Sequence, residues 1–186
     1  MKKIGLSILM LLLFSMSPLT FAYTHHQVTA SGQSKTNAND ANVIGFIETA
    51  DMNEVAAGKL AEKKSTNVDI KKFGRHMLMD HSKNLVDAKK VSKQIKTPAN
   101  KSNEDVVSLT KEGQSLLASL NSKEGKDFDQ TYVNAMVTGH QAVLDKIDSF
   151  LKEDLNPTLN VFTQKTRTIV RHHLEMAKEM QAKQVS

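Results

Sequence analysis

Apolar side chains recur at intervals of three and four through most of the chain, and no stretch shows the strict alternation of a half-buried strand. Val43, Ile47, Ala50, Glu54, Ala57 and Ala61 form a first helical stripe over about 25 residues. The segment 67–69 breaks it, with Asn67 to Asp69 placed to cap a second helix. That helix carries Ile70, Phe73, Met77, His81, Asn84, Ala88, Val91 and Ile95 on one face and stops before Thr97-Pro98. A shorter third stripe, over about 103–120, contains Val106, Leu109, Leu116, Leu117 and Leu120. A fourth, over about 126–153, contains Phe128, Tyr132, Met136, His140, Val143, Ile147 and Leu151. After Asn156 as cap and Pro157 in the first turn, a fifth carries Leu159, Phe162, Thr166, Ile169, His173, Met176 and Met180.

The fold class is therefore all-α. Four helices of about 25 residues each span about 38 Å, and the third, at about 18 residues, spans about 27 Å. The third is long enough to carry the chain from one end of a bundle to the other. Two antiparallel pairs joined in this way make a ferritin-like four-helix bundle with an additional shorter crossover helix. An up-and-down bundle with an appended helix is the competing topology. Asp40 offers an N-cap for the first helix, so the domain is expected to occupy residues 40–183, a length suited to a single core.

The first 22 residues follow a different pattern. Lys2 and Lys3 precede an apolar run over 8–14, and Thr20-Phe21-Ala22 places small residues at the first and third positions before a cut. This predicts a signal peptide, residues 1–22, cleaved after Ala22, and an exported protein, periplasmic or secreted. The apolar run is too short for a convincing membrane span, so no transmembrane segment is expected after cleavage. Residues 23–39 are small and polar without apolar period, and read as a disordered leader. An exported chain with no cysteine is not stapled by disulfides, so a hydrophobic core must hold it. The formal charge of +5 falls to +3 once Lys2 and Lys3 leave with the signal. The excess is scattered, with no basic block interleaved with aromatics, which argues against a nucleic-acid partner.

The helical stripes are not purely apolar. Each long helix places one ionisable residue among its apolar positions: Glu54, His81, His140 and His173. Counted from the helix ends, all four fall about 14–16 residues in, near mid-height whichever way each helix runs. One carboxylate and three imidazoles at one level resemble a coordination shell for zinc, copper or iron rather than for calcium or magnesium, which favour oxygen ligands. Asp80 is placed to orient an imidazole, above all that of neighbouring His81, or to join the ligands. His76, His172 and Tyr132 are further candidates for support. A buried Glu–His hydrogen-bond network with no ion is the competing reading of the same four positions. The methionines suit core packing better than soft ligation, and the isolated Gly45, Gly58, Gly74 and Gly139 suit close approach of helices rather than a phosphate loop. Cleavage after Ala22 also creates a second candidate, an N-terminal copper or nickel site. There the free amine, backbone amides and third-residue imidazole of Tyr23, Thr24 and His25 can wrap a square-planar ion.

The segments EVAAGKLAEKKSTNVDIKKFGRHMLMDHSKN, FDQTYVNAMVTGHQAVL and VRHHLEMAKEM resemble successive signatures of the domain-of-unknown-function family 4142 (DUF4142), predicted secreted proteins with a ferritin-like bundle. The most specific pieces are Glu54-Val55, the run 58–61, the run 79–82, Phe128-Asp129 with Tyr132, His140, and His173-Leu174. The resemblance spans about residues 41–182 and implies export and the ferritin-like fold, but no activity. The Glu-x-x-His pair of a di-iron bundle is missing: the second helix has His76-x-x-x-Asp80-His81 and the fifth His172-His173-x-Glu175. A mononuclear, histidine-rich site is the better expectation. The functional readings are thus an exported metal- or small-ligand-binding bundle serving metal tolerance or envelope stress, and a non-catalytic structural or interaction module of the envelope. A metal-dependent oxidoreductase is the one enzyme class in view, and it needs open coordination positions and a substrate route that no sequence feature shows, so a non-enzymatic role is the expectation.

Overall fold

The computed structural model describes residues 30–185, as five α-helices with no strand among them: α1 Ala30–Lys64, α2 Val68–Gln94, α3 Glu104–Asn121, α4 Gly125–Phe150 and α5 Pro157–Val185. Asparagine sets three of the helix starts. Asn67 Oδ1 accepts the N–H groups of Asp69 and Ile70 at 2.8 and 3.3 Å, Asn103 Oδ1 that of Asp105 at 3.0 Å, and Asn156 Oδ1 that of Thr158 at 3.0 Å. Each thereby satisfies donors that a helix leaves orphaned in its first turn. Gly125 opens α4 at φ 55°, a conformation that a residue with a Cβ adopts only under strain.

Helix α1 packs along α2, and α4 along α5, while α3 lies against α1 and α4. Asn100 N–H donates to Ala41 O in the first half of α1, and Lys64 Nζ at the end of α1 donates to the carbonyls of Leu120 and Asn121. Helix α3 therefore runs the full height beside α1 and returns the chain to the end from which α4 starts. This is the two-hairpin arrangement with a single long crossover, a ferritin-like bundle, and it excludes the up-and-down alternative. The hairpins meet through α2 on α5 and α1 on α4. The α1–α2 contact is close at Gly58 and Gly74. A Cβ on Gly58 would stand 2.6 Å from Gly74 O, and one on Gly74 2.9 Å from Gly58 O.

The first helix begins earlier than the sequence predicts. It starts at Ala30 rather than at an Asp40 cap, so the second half of the expected leader, 23–39, is helical. Asp40 is used otherwise: its buried carboxylate accepts the N–H of Asn156 at 3.0 Å and ties α1 to the α4–α5 connection. A helix already nucleated by packing extends at the gain of one hydrogen bond per residue, without an apolar stripe of its own. The expected signal peptide, residues 1–22, and the expected copper or nickel ligands Tyr23, Thr24 and His25 lie outside the described residues. Among the described residues, no helix is long and apolar enough to cross a membrane.

Two apolar clusters fill the bundle ends. One holds Val43, Ile44, Ile47, Ala88, Leu155, Leu159 and Phe162, and the other is built around Phe73, Met77, Phe128, Tyr132 and Met136. Between them in height, on all four long helices, lies a polar layer of buried side chains: Asp51, His81, Asn84, His140, Thr166 and His173.

Candidate metal centre

The three histidines expected at mid-height meet. Each offers a ring nitrogen, the three within 4.8 Å of one another, and their residues are 3, 1 and 1 % exposed for His81, His140 and His173. His81 comes from α2, His140 from α4 and His173 from α5, each facing inward because it continues its helix's apolar stripe.

In each ring one nitrogen is committed to a protein acceptor. His81 Nδ1–H donates to Asp51 Oδ1 at 2.7 Å, His140 Nδ1–H to Met136 O at 2.9 Å, and His173 Nε2–H to Asp80 Oδ2 at 3.0 Å. Fixing the proton there leaves a lone pair on the opposite nitrogen, His81 Nε2, His140 Nε2 and His173 Nδ1. Two of these face one another, His173 Nδ1 standing 3.2 Å from His81 Nε2. Lone pairs repel at that distance, so the pair requires a proton or a cation between them. His140 Nε2 is buried and lacks a hydrogen-bond partner among the described residues, as do Glu54 Oε2 and Tyr132 Oη. Buried polar atoms of this kind are rare in a finished core, and an unmet imidazole lone pair suits a metal ion. Two nitrogens held at about 2.05 Å by one tetrahedral ion stand about 3.3 Å apart, close to the His81–His173 spacing.

The electrostatics follow from burial and these partners. Burial opposes a charge on His81, yet the hydrogen bond to Asp51 and the charges of Glu54, Asp51 and Asp80 outweigh it, and its pKa is raised. His140 is pushed down to about 3 by burial and by the charge on His81. His173 is pushed to about 3 by the same two causes, against the pull of Asp80. In the metal-free protein these partners favour a proton on His81, which Nε2 is placed to donate to His173, and disfavour charge on the other two rings.

The carboxylates are arranged differently from the sequence expectation. Asp80 does hold an imidazole, but that of His173 rather than that of His81. Successive helical residues point about 100° apart, so the neighbour of an inward histidine faces the adjacent helix. The partner of His81 is Asp51, which sequence reasoning missed. It lies four residues after Ile47 and three before Glu54, on the edge of the first stripe, and that spacing was the available signal. Asn84 Nδ2 donates to both Asp51 oxygens at 3.2 and 3.0 Å, and Thr166 Oγ1 donates to Asn84 Oδ1 at 3.1 Å. Asn84 and Thr166, read only as stripe positions, thus complete the support of His81.

Glu54 stands beside the centre, its Oε1 3.8 Å from His140 Nδ1. Burial raises its pKa against the lowering effect of His81. His76 and His172 are exposed and remain outside the centre. Tyr132 is fully buried in the apolar layer below, stacked on Phe128 and edge-on to Phe73, and makes no hydrogen bond into the histidines.

The glycines divide. Gly58 and Gly74 meet each other's helix backbone within 3 Å of where a Cβ would lie, as close helix packing requires, whereas Gly45 meets the backbone of Asn100 in the connection between α2 and α3. Gly139 does not, and faces a crevice instead. No curated protein and no solved structure matches the chain. A family model does, the one described as Domain of unknown function (DUF4142), over residues 25–180. With that match covering most of its length, the chain belongs to the DUF4142 family.

Proposed function

We propose that this chain is an exported helical bundle that holds one transition-metal ion, zinc, copper or iron, on His81, His140 and His173, in the service of metal tolerance or envelope stress. The observation that carries this reading is the meeting of three buried imidazoles, with one ring nitrogen of each within 4.8 Å of the others and an acceptor holding one nitrogen of every ring. That is the support metal-ligating histidines characteristically have, because a held N–H fixes the tautomer and raises the basicity of the ligating nitrogen. Asp51 and Asp80 place negative charge behind two of the rings and offset a divalent ion in a layer closed above and below by apolar side chains. Three neutral nitrogens leave a fourth position open, and Glu54 stands beside the three-histidine group with Oε1 3.8 Å from His140 Nδ1. The set is poor in carboxylates for a di-iron centre, so ferroxidase chemistry is not part of the proposal.

Metal binding here exchanges the proton between His81 and His173 for a cation, so uptake is expected to release about one proton per ion. Elemental analysis of protein purified without a histidine tag from its own compartment should find one ion per chain, lost in His81→Ala and in His140→Ala. Protein that stays metal-free after incubation with zinc, copper and iron(II) refutes the reading. The second reading, a structural module of the envelope, then stands. It is supported by the hydrogen-bond chain from His81 through Asp51 and Asn84 to Thr166, which satisfies its members without any ion.

A further inference from the structure

A crevice of about 390 Å³ opens between α1, α3 and α4. Glu54 lines it and stands beside the His140 ring, Oε1 3.8 Å from Nδ1, the nitrogen whose hydrogen goes to Met136 O. Its other oxygen is buried without a hydrogen-bond partner among the described residues, a costly state for an ionised carboxylate that a cation would relieve. Gly139, next to His140, keeps the crevice open at this point. An added Cβ there would meet nothing closer than Glu54 Oε1 at 4.0 Å. The crevice mouth carries Asp105 and Glu112 against the single cation Lys146, which Asp105 already holds. The local excess is negative, and in a cleft with low-dielectric walls such an excess concentrates cations.

We infer that this crevice is the route by which a divalent transition-metal ion reaches the three-histidine centre, with Glu54 as the positioning carboxylate that receives the ion and passes it to the imidazoles. The inference rests on the metal reading above. A carboxylate oxygen is a competent ligand for an incoming, partly hydrated ion, whereas the imidazole lone pairs then hold it more tightly. The competing route runs past Asp80, whose side chain is 46 % exposed beside His173.

The test is stopped-flow zinc exchange between a chromophoric chelator and the purified protein. Gly139→Leu, which extends into the crevice, should slow uptake and release together by at least about tenfold while leaving the dissociation constant within about threefold, since a blocked path alters both rates alike. Glu54→Gln should also slow uptake, and Asp80→Asn should not. Ala142→Leu, a second plug on the same wall, replaces Gly139→Leu should that variant fail to fold. Folded plug variants that exchange zinc at the wild-type rate overturn the inference, as does slowing confined to Asp80→Asn. A wild-type protein that takes up no zinc refutes the metal reading itself, and is told apart by its lack of any uptake to slow.

Discussion

Acid should unfold the metal-free protein through His140, and the loss can be isolated by comparison with His140→Leu. In the unfolded chain this imidazole has its ordinary pKa of 6.5, while in the fold burial and the charge on His81 hold it at about 3. Between these values the unfolded chain carries a proton at residue 140 that the folded chain refuses. The stabilisation is therefore complete above about pH 6.5 and is lost progressively as pH falls toward 3. At about pH 4 the unfolded state gains about 2.5 pH units of protonation free energy, which amounts to about 3 kcal/mol. Many groups contribute to the total pH dependence, including the raised Asp51 and Glu54, whose effect has the opposite sign. The difference between wild type and His140→Leu cancels most of them. Urea unfolding followed by circular dichroism, at about pH 7.5 and pH 4, should show the wild type losing about 3 kcal/mol more than the variant between the two conditions. Equal losses would mean that His140 takes up its proton in the folded state and that the layer does not keep it neutral.

Two further expectations concern the packing and polar support of the centre. Asp51→Ala leaves His81 Nδ1–H and the Asn84 amide unpaired in a buried layer, and should cost about 3–5 kcal/mol in urea unfolding. Asp51→Asn, which retains an acceptor for His81, should cost distinctly less, and equal costs would refute the assignment of Asp51 as the partner of His81. Gly139→Ala meets no atom within 4 Å except the edge of Glu54, so replacing a helical glycine there should stabilise by about 0.5–1 kcal/mol. Gly58→Ala drives a Cβ to 2.6 Å from Gly74 O and should destabilise by about 1–3 kcal/mol, as overpacking does. Thermal unfolding of the two variants should therefore shift in opposite directions.

The fold was largely legible because helical periodicity is a local signal. The stripes containing Phe73, Met77 and His81, or Tyr132, Met136 and His140, announce both the helix and the face it buries. Asn156-Pro157 and Asn67 mark starts that the backbone uses. The early start of α1 was not legible, since residues 30–39 carry no apolar period. Their helix continues from a packed segment whose expected cap, Asp40, is engaged by Asn156. The meeting of three histidines was legible for a simple reason. Residues near the middle of antiparallel helices share a level whichever way the helices run, and inward faces at one level converge.

Sequence alone therefore determined that this is an all-α bundle, that its long helices bury ionisable groups at mid-height, and that His81, His140 and His173 share a layer. Tertiary structure decided which carboxylate holds which ring. It put Asp51 behind His81, Asp80 behind His173 and Glu54 beside His140, sent His76 and His172 to the surface, and turned Gly139 toward a crevice rather than a helix contact. The physical reason is that spacing along a helix fixes the angle between two side chains on that helix, whereas the rotation of one helix against another is set by how all their ridges and close approaches, such as Gly58 on Gly74, pack at once.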